Sequence, residues 1–338
     1  MQLKADTRTV VVGFVGGCLA FGLVFWLVGV DSVLSALRDA RPRYLLGVLL
    51  AATVWLCSWG LSLRVVLGSL GERRGVFESL VVFAGATFAN NVTPFGQAGG
   101  EPLSALLISR ATDRDYEDGL ATIASVDALH FVPTLTLGLL GLGFVATRIT
   151  FGQRLEYVAA TVLALAVVVP VGVYVGWTNR YRIERAVVRA LTPVVRTVAN
   201  ALPVVSTPAD DAVERRIEGF FESIERVGSD RRRLALAVGF SALGWVALAT
   251  SLWLALASLG VSVPYLVTFL AVPVGDLAAL APTPGGLGGV EALLIGLLVA
   301  VSPAAVGTVS AAVLIHRAAT YWLPTVVGGG AASVILTD

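Results

Sequence analysis

"TPFGQAGGE" occupies Thr93–Glu101, and "TPGGLGGVE" occupies Thr283–Glu291. Both follow the pattern T-P-x-G-x-x-G-x-E, and both interrupt an apolar stretch. Proline removes a backbone donor and glycine loosens the chain, so each break frees N–H and C=O groups that need partners. At bilayer depth such backbone survives only where it is buried in protein or faces a wet cavity. Whether the two breaks lie at membrane depth therefore decides the fold.

Composition answers that question. The 338 residues are 56% hydrophobic and 14% charged, with a mean hydropathy of +0.83. Soluble domains carry about 25% charged residues. Apolar runs near the ~20 residues needed to cross a bilayer recur at Thr9–Val30, Tyr44–Gly68, Gly119–Ala146, Tyr157–Trp177, Leu234–Gly260 and Ala304–Leu336. The segments beside the breaks are shorter: Val76–Val92 and Pro102–Ser109 around the first, Pro264–Ala281 and Val290–Val301 around the second. The expected fold is all-α, a single integral membrane domain over 1–338. It has about six spanning helices plus two broken re-entrant hairpins.

The net charge of +1 gives no case for nucleic acid. Cys18 and Cys57 both lie in apolar runs, without metal or disulfide spacing. The run before Cys18 resembles a lipoprotein cleavage site, but the apolar stretch continues to Val30, as an uncleaved span does. Neither glycine run completes a dinucleotide fingerprint, and no phosphate-loop GKS or GKT occurs. No metal and no cofactor are expected.

Basic residues set the expected orientation. The one sizeable polar region, Thr178–Arg233, holds 11 arginines and 8 acids and reads as two amphipathic helices on the cytoplasmic side. Counting spans from it places both termini, the Gly71–Gly75 turn and Arg110–Asp118 in the cytoplasm, with the chain in the plasma membrane. The first hairpin then enters from the cytoplasm and the second from outside. Two such elements of opposite orientation form an inverted-topology repeat, with halves at about 44–146 and 234–336. Interrupted segments at matching positions of two halves point to a transporter's midplane site. The breaks are accordingly expected to meet near the bilayer midplane. A helix starting after each break aims its N–H groups at that site, as anion binding requires.

Ionisable residues in apolar runs are costly unless paired or functional. Arg64 and Glu78 lie near the expected interface and are read as snorkelling. Asp127 and His130 share one helix face. Glu101 and Glu291 either cap their helices or handle substrate or protons. Asp276, Glu291 and Arg317 read as one ion pair plus a leftover acid, or as headgroup contacts. The functional role is preferred for Arg317, which follows His316 and is the only arginine of the final span. The candidate substrate-binding set is Asn91, Thr93, Pro94, Gly99, Gly100, Glu101, Asp127, His130, Asp276, Pro284, Gly285, Gly286, Gly288, Glu291, His316 and Arg317.

The stretches "NNVTPFGQAGGEP" (Asn90–Pro102), "PTPGGLGGVEALL" (Pro282–Leu294) and "HRAATYWLPTVVGG" (His316–Gly329) resemble the lysylphosphatidylglycerol synthase transmembrane-domain family of flippase-like integral membrane proteins. The resemblance spans essentially the whole chain. It implies a membrane unit that moves or presents lipids, in some members fused to an aminoacyl or glycosyl transferase. It also implies arginines in and just after the first motif, where this chain has Gln97 and Ser104.

The function expected is translocation of an anionic phospholipid or polyprenyl-phosphate-linked lipid. The alternative is an accessory subunit, or a transferase, that presents a lipid carrier to a separately encoded glycosyl- or aminoacyl-transferase. Membrane lipids are the expected partners. No catalytic residues are expected: Thr178–Arg233 lacks His and Cys, and its acids alternate with arginines at helical spacing.

Overall fold

A computed structural model of the chain describes residues 38–148 and 212–337, with scattered positions between 163 and 179. The Thr9–Val30 run, Cys18, most of Tyr157–Trp177 and most of the polar region up to residue 211 lie outside the described residues.

Among the described residues the chain forms nine helices and no strand. They are α1 (Pro42–Ser69), α2 (Val76–Val92), α3 (Gln97–Thr112), α4 (Tyr116–Arg148), α5 (Ala212–Ser229), α6 (Arg231–Ser258), α7 (Tyr265–Leu277), α8 (Gly289–Val301) and α9 (Val306–Thr337). Five stretches are long and apolar enough to cross a membrane: α1, α4, α6, α9 and Pro284–Val301, which adds the short turn ahead of α8. By itself α8 has 13 residues. That is about 20 Å at 1.5 Å per residue, short of the ~30 Å hydrocarbon core.

The α1–α6 pair is the spine of the bundle. It runs antiparallel: Arg41 N–H donates to Ser258 O, Trp59 Nε1 to Ser241 O (3.2 Å), Ser62 Oγ to Ala237 O (3.1 Å) and Arg233 to Gly68 O. Polar side chains bonding across the crossing, with Gly244 against the Trp59 indole, give the close approach that membrane helices need in place of a hydrophobic driving force. Asp230 starts α6 by accepting the backbone N–H groups of Arg232 and Arg233, leaving fewer orphan donors at its first turn.

One end of the bundle is ionic. Arg114 pairs with Glu72 at 2.6 Å, and Arg114 and Arg226 each approach Asp118 at 3.8 Å. Ser223 Oγ donates to Asp118 (2.8 Å), which docks α5 on the start of α4. The α1–α2 and α3–α4 turns both lie at this end, so the α2–α3 hairpin enters from it. The α6–α7 connection through Gly260 lies at the other end, beside Arg41. The α7–α8 hairpin enters from there.

One local expectation is corrected, and one feature is new. Helix α3 starts at Gln97, not Pro102, and contains Gly99 and Gly100. These glycines do not loosen the chain. A Cβ at Gly99 would collide with Pro94 O and one at Gly100 with Asn90, so their absence lets α3 pack against the end of α2. Helix α9 is not uniform: a π-helical turn spans Ala318–Trp322, directly after Arg317. Asn91 Nδ2 holds it by donating to Tyr321 O (3.3 Å) and Thr325 Oγ1 (2.8 Å).

Candidate functional site

The two breaks open alike and then diverge, for Gln97 already begins α3 whereas Leu287 is extended and Gly288 has φ of 83° before α8 starts at Gly289. Thr93 and Thr283 are extended, with φ/ψ of −96°/144° and −117°/150°. The next-but-one residues, Phe95 and Gly285, have φ of 64° and 53°, and Gly96 and Gly286 have φ of 53° and 69°. That region favours glycine, so Phe95, half exposed, holds a conformation costly for a bulky residue. The breaks also touch. A Cβ at Gly96 would lie 2.6 Å from Ala279 O, so only glycine fits there. Tyr321 Oη donates to Asn91 O (2.9 Å) and sits 3.4 Å from Pro284 O, tying α9 to both breaks.

Beside this junction, between α1, α2, α4, α6, α7, α8 and α9, lies a cavity of about 130 Å³. Of the residues expected from sequence, Asn91, Asp127, His130, Asp276, Gly285, His316 and Arg317 line it. Thr93, Pro94, Gly99, Gly100, Glu101, Pro284, Gly286, Gly288 and Glu291 do not; they stand behind the wall or shape the breaks. Thr93 Oγ1, for example, donates to Ala89 O (2.7 Å) and closes α2.

Glu291 is fully buried. Its Oε2 accepts the Gly288 N–H (2.7 Å) and its Oε1 accepts Arg317 Nε (2.6 Å). The anion site expected at the start of α8 is thus occupied by the chain's own carboxylate at Gly288. Arg317 Nη2 donates to Gly285 O (3.3 Å), and the guanidinium lies 4.5 Å from the Tyr321 ring centroid. Arg317 is therefore on the cavity wall yet committed to an ion pair. Asp276 is the acid left over, open to the cavity, with no side-chain hydrogen bond or ion pair among the described residues.

Asp127 and His130 lie one helical turn apart on α4 and both face the cavity. His130 Nδ1 is 2.6 Å from Ser241 Oγ, and its ring stacks on Trp59 at 4.0 Å. His316 Nδ1 is 2.9 Å from Ser251 Oγ. Each histidine is pinned through one nitrogen by a serine of α6. Four buried polar atoms of residues on this wall have no hydrogen-bond partner among the described residues: Asp127 Oδ2, His130 Nε2, Trp55 Nε1 and Trp245 Nε1.

Sequence reasoning missed the aromatic side of the wall, formed by Trp55, Trp59, Phe83 and Trp245. Trp59 sits between the other two indoles, 5.6 Å from Trp55 and 5.4 Å from Trp245. A signal was present. Tryptophans of membrane helices favour the interfaces, whereas Trp55, Trp59 and Trp245 fall inside their apolar runs.

A match to the family described as the lysylphosphatidylglycerol synthase TM region covers residues 10–328 and so takes in every wall of this site. The chain belongs to that family. Its relatives include a UPF0104 membrane protein of Methanothermobacter thermautotrophicus, 26% identical over 96% of this chain and 93% of the relative. A UPF0104 membrane protein of Pyrococcus horikoshii is 24% identical over 91% of each chain. Another, from Methanocaldococcus jannaschii, is 23% identical over 89% of this chain and 87% of its own length. The protein is thus a multi-pass membrane protein of this family, resembling these archaeal relatives along nearly their whole length.

Proposed function

We propose that this family member is a lipid translocator whose substrate headgroup enters the cavity between the two breaks while the tails remain in the bilayer. One observation carries the reading: among the described residues, Trp55, Asp127, His130 and Trp245, which bear buried polar atoms without a partner, line with Asp276 one cavity inside an apolar bundle. Leaving such groups unsatisfied costs several kcal/mol each in a membrane, so a polar guest offsets a standing penalty. Hairpins entering from opposite ends, each with an extended Thr and positive φ at the third and fourth residues of its break, support reading the two halves as an inverted-topology repeat, in which one half rocks against the other around a fixed site. The positive-inside rule places the ionic end, the termini and α5 in the cytoplasm.

The substrate class we propose is a phosphate-bearing lipid, either a phospholipid or a polyprenyl-phosphate-linked one. The Arg317 N–H groups not directed at Glu291 and Gly285 are available to the phosphate at the edge of the cavity. Because the family description names the membrane region of a synthase, a second reading is presentation of the lipid to a separately encoded transferase, with no transfer chemistry in this chain.

The test is inter-leaflet transfer of tail-labelled lipids in liposomes holding the purified chain, read with a membrane-impermeant quencher. Transfer faster than in protein-free liposomes is expected. A protein-free rate for every headgroup refutes translocation. Product formed from aminoacyl-tRNA or nucleotide-sugar donors would make the chain a transferase.

A further inference from the structure

We infer that Asp276 is a proton-binding site, and that an anionic headgroup occupies the cavity only together with a proton on this carboxyl. This rests on the reading above only for the guest's phosphate, and it holds equally whether the lipid is moved or presented.

Asp276 is the acid that a guest can reach. Residues 271–275 before it in α7 are all buried, whereas Asp276 is exposed and lines the cavity. Among the described residues no side-chain hydrogen bond or ion pair occupies its carboxylate. Asp127 Oδ2, in contrast, is buried out of reach.

The surroundings offer no free cation. Helix α7 packs against α4, α6 and α8. Asp127 and His130 come from α4, the fully buried Glu291 from α8, and Trp245, which does not titrate, from α6. Beyond them α9 adds His316 and Arg317. Arg317 is held by Glu291 at 2.6 Å, so that pair is neutral as a unit. Each histidine meets a serine of α6 through Nδ1, and among the described residues neither pairs with a carboxylate that would hold it as a cation. A phosphate entering the cavity therefore faces Asp276 with no unspent counter-charge among the described residues.

Like charges at close range in a poorly hydrated site oppose each other strongly. A proton on Asp276 removes that repulsion and turns an acceptor into an O–H donor to a phosphate oxygen. The proton is taken up on the side where the headgroup enters and returned where it leaves, and no bond within the lipid changes. A metal cation would need more ligands: no group of three or more His, Cys, Asp or Glu suited to a metal occurs among the described residues. A zwitterionic headgroup brings its own cation to the ionised Asp276 and needs no proton.

The experiment binds short-chain phosphatidylmethanol, whose phosphodiester carries a single charge and no other titrating group, to the full chain in nanodiscs. Phosphatidylcholine, with the same phosphate plus a fixed cation, is the comparison. Calorimetry in two buffers of different ionisation heat counts the protons taken up on binding. We expect about one proton per phosphatidylmethanol and none per phosphatidylcholine. Affinity for phosphatidylmethanol should fall by up to about ten-fold per pH unit above the pH at which Asp276 ionises, as one linked proton requires. Asp276→Asn should abolish the uptake and flatten the pH dependence, and Asp276→Glu should restore both. If Asp276→Asn fails to fold, infrared spectra decide: a carboxylic-acid stretch should appear on adding phosphatidylmethanol and shift in Asp276→Glu.

No saturable phosphatidylmethanol binding, binding without uptake, equal uptake for both lipids, or uptake that survives Asp276→Asn overturns the inference. So does an unchanged infrared band, or sodium taking the proton's place when potassium is exchanged for it. Uptake without inter-leaflet transfer would remove translocation and leave the proton site. Inter-leaflet transfer of phosphatidylmethanol that ignores a pH gradient, with no uptake, would do the reverse.

Discussion

Glu291→Gln tests how the second break is held. Wild-type Glu291 has no exposure, and the Arg317 side chain is 11% exposed. Breaking a buried pair by removing one charge typically costs about 3–5 kcal/mol, because the other charge is left uncompensated. Two features place this variant near the lower figure. The guanidinium keeps its position 4.5 Å from the Tyr321 centroid, a contact of about 0.5–2 kcal/mol. The glutamine carbonyl can still accept the Gly288 N–H that Glu291 Oε2 holds at 2.7 Å. We expect a loss of about 3 kcal/mol for Glu291→Gln. Arg317→Met should lose about 4–5 kcal/mol, since it strands a carboxylate with no exposure. The double variant should cost less than the sum of the singles by about 2 kcal/mol or more, because no unpaired charge remains. The assay is reversible unfolding in mixed micelles, titrated with denaturing detergent and followed by circular dichroism. Single variants within about 0.5 kcal/mol of wild type, or strictly additive ones, would refute the ion pair as the anchor of this break. For the same reason Arg317→Ala confounds transport with folding. Arg317→Lys, which keeps the charge but not the planar fork, is the cleaner probe of headgroup contact.

Gly244→Ala should destabilise by about 1–3 kcal/mol through overpacking, because its Cβ would meet the Trp59 indole. Gly239→Ala on the same helix, where nothing among the described residues lies within 4 Å, should be neutral or stabilising by under about 1 kcal/mol; equal effects in the unfolding assay would contradict the α1–α6 packing. Ser241→Ala should cost about 1–2 kcal/mol by removing the His130 Nδ1 partner at 2.6 Å, and an unchanged unfolding midpoint would count against that bond. Asp118→Ala removes the acceptor that Ser223 and Arg226 share. Tryptic cleavage after Arg226 should then rise roughly five-fold, as loosening by about 1 kcal/mol implies; an unchanged cleavage rate would show that α5 docks by other contacts.

Much of the frame was legible in the sequence because it depends on local properties. Runs such as Tyr44–Gly68 and Leu234–Gly260 carry their own hydropathy, and they correspond to α1 and α6 with ends shifted by a few residues. The four-residue step Thr-Pro-x-Gly acts on the backbone locally, and both copies show an extended Thr followed by positive φ at the third and fourth residues. The three-residue spacing of Asp127 and His130 placed both on one face of α4. Reading Gly99 and Gly100 as loosening the chain failed because their use depends on Asn90 and Pro94 across the hairpin, a contact that no local pattern encodes.

By itself, then, the sequence determined an all-helical membrane chain with two apolar hairpins broken in the same way, since hydropathy and backbone preference act over a few residues. Only the tertiary structure decided which acid Arg317 meets. Asp276 and Glu291 were equally available to it along the chain, and the choice falls to Glu291 because its carboxylate is already fixed at the first turn of α8 by the Gly288 N–H. Tertiary packing also turned Trp55, Trp59 and Trp245 from filler into a wall, because α1 and α6 cross where all three indoles converge. Asp276 is left lining the same cavity without an ion pair among the described residues, because Arg317 is bound to Glu291.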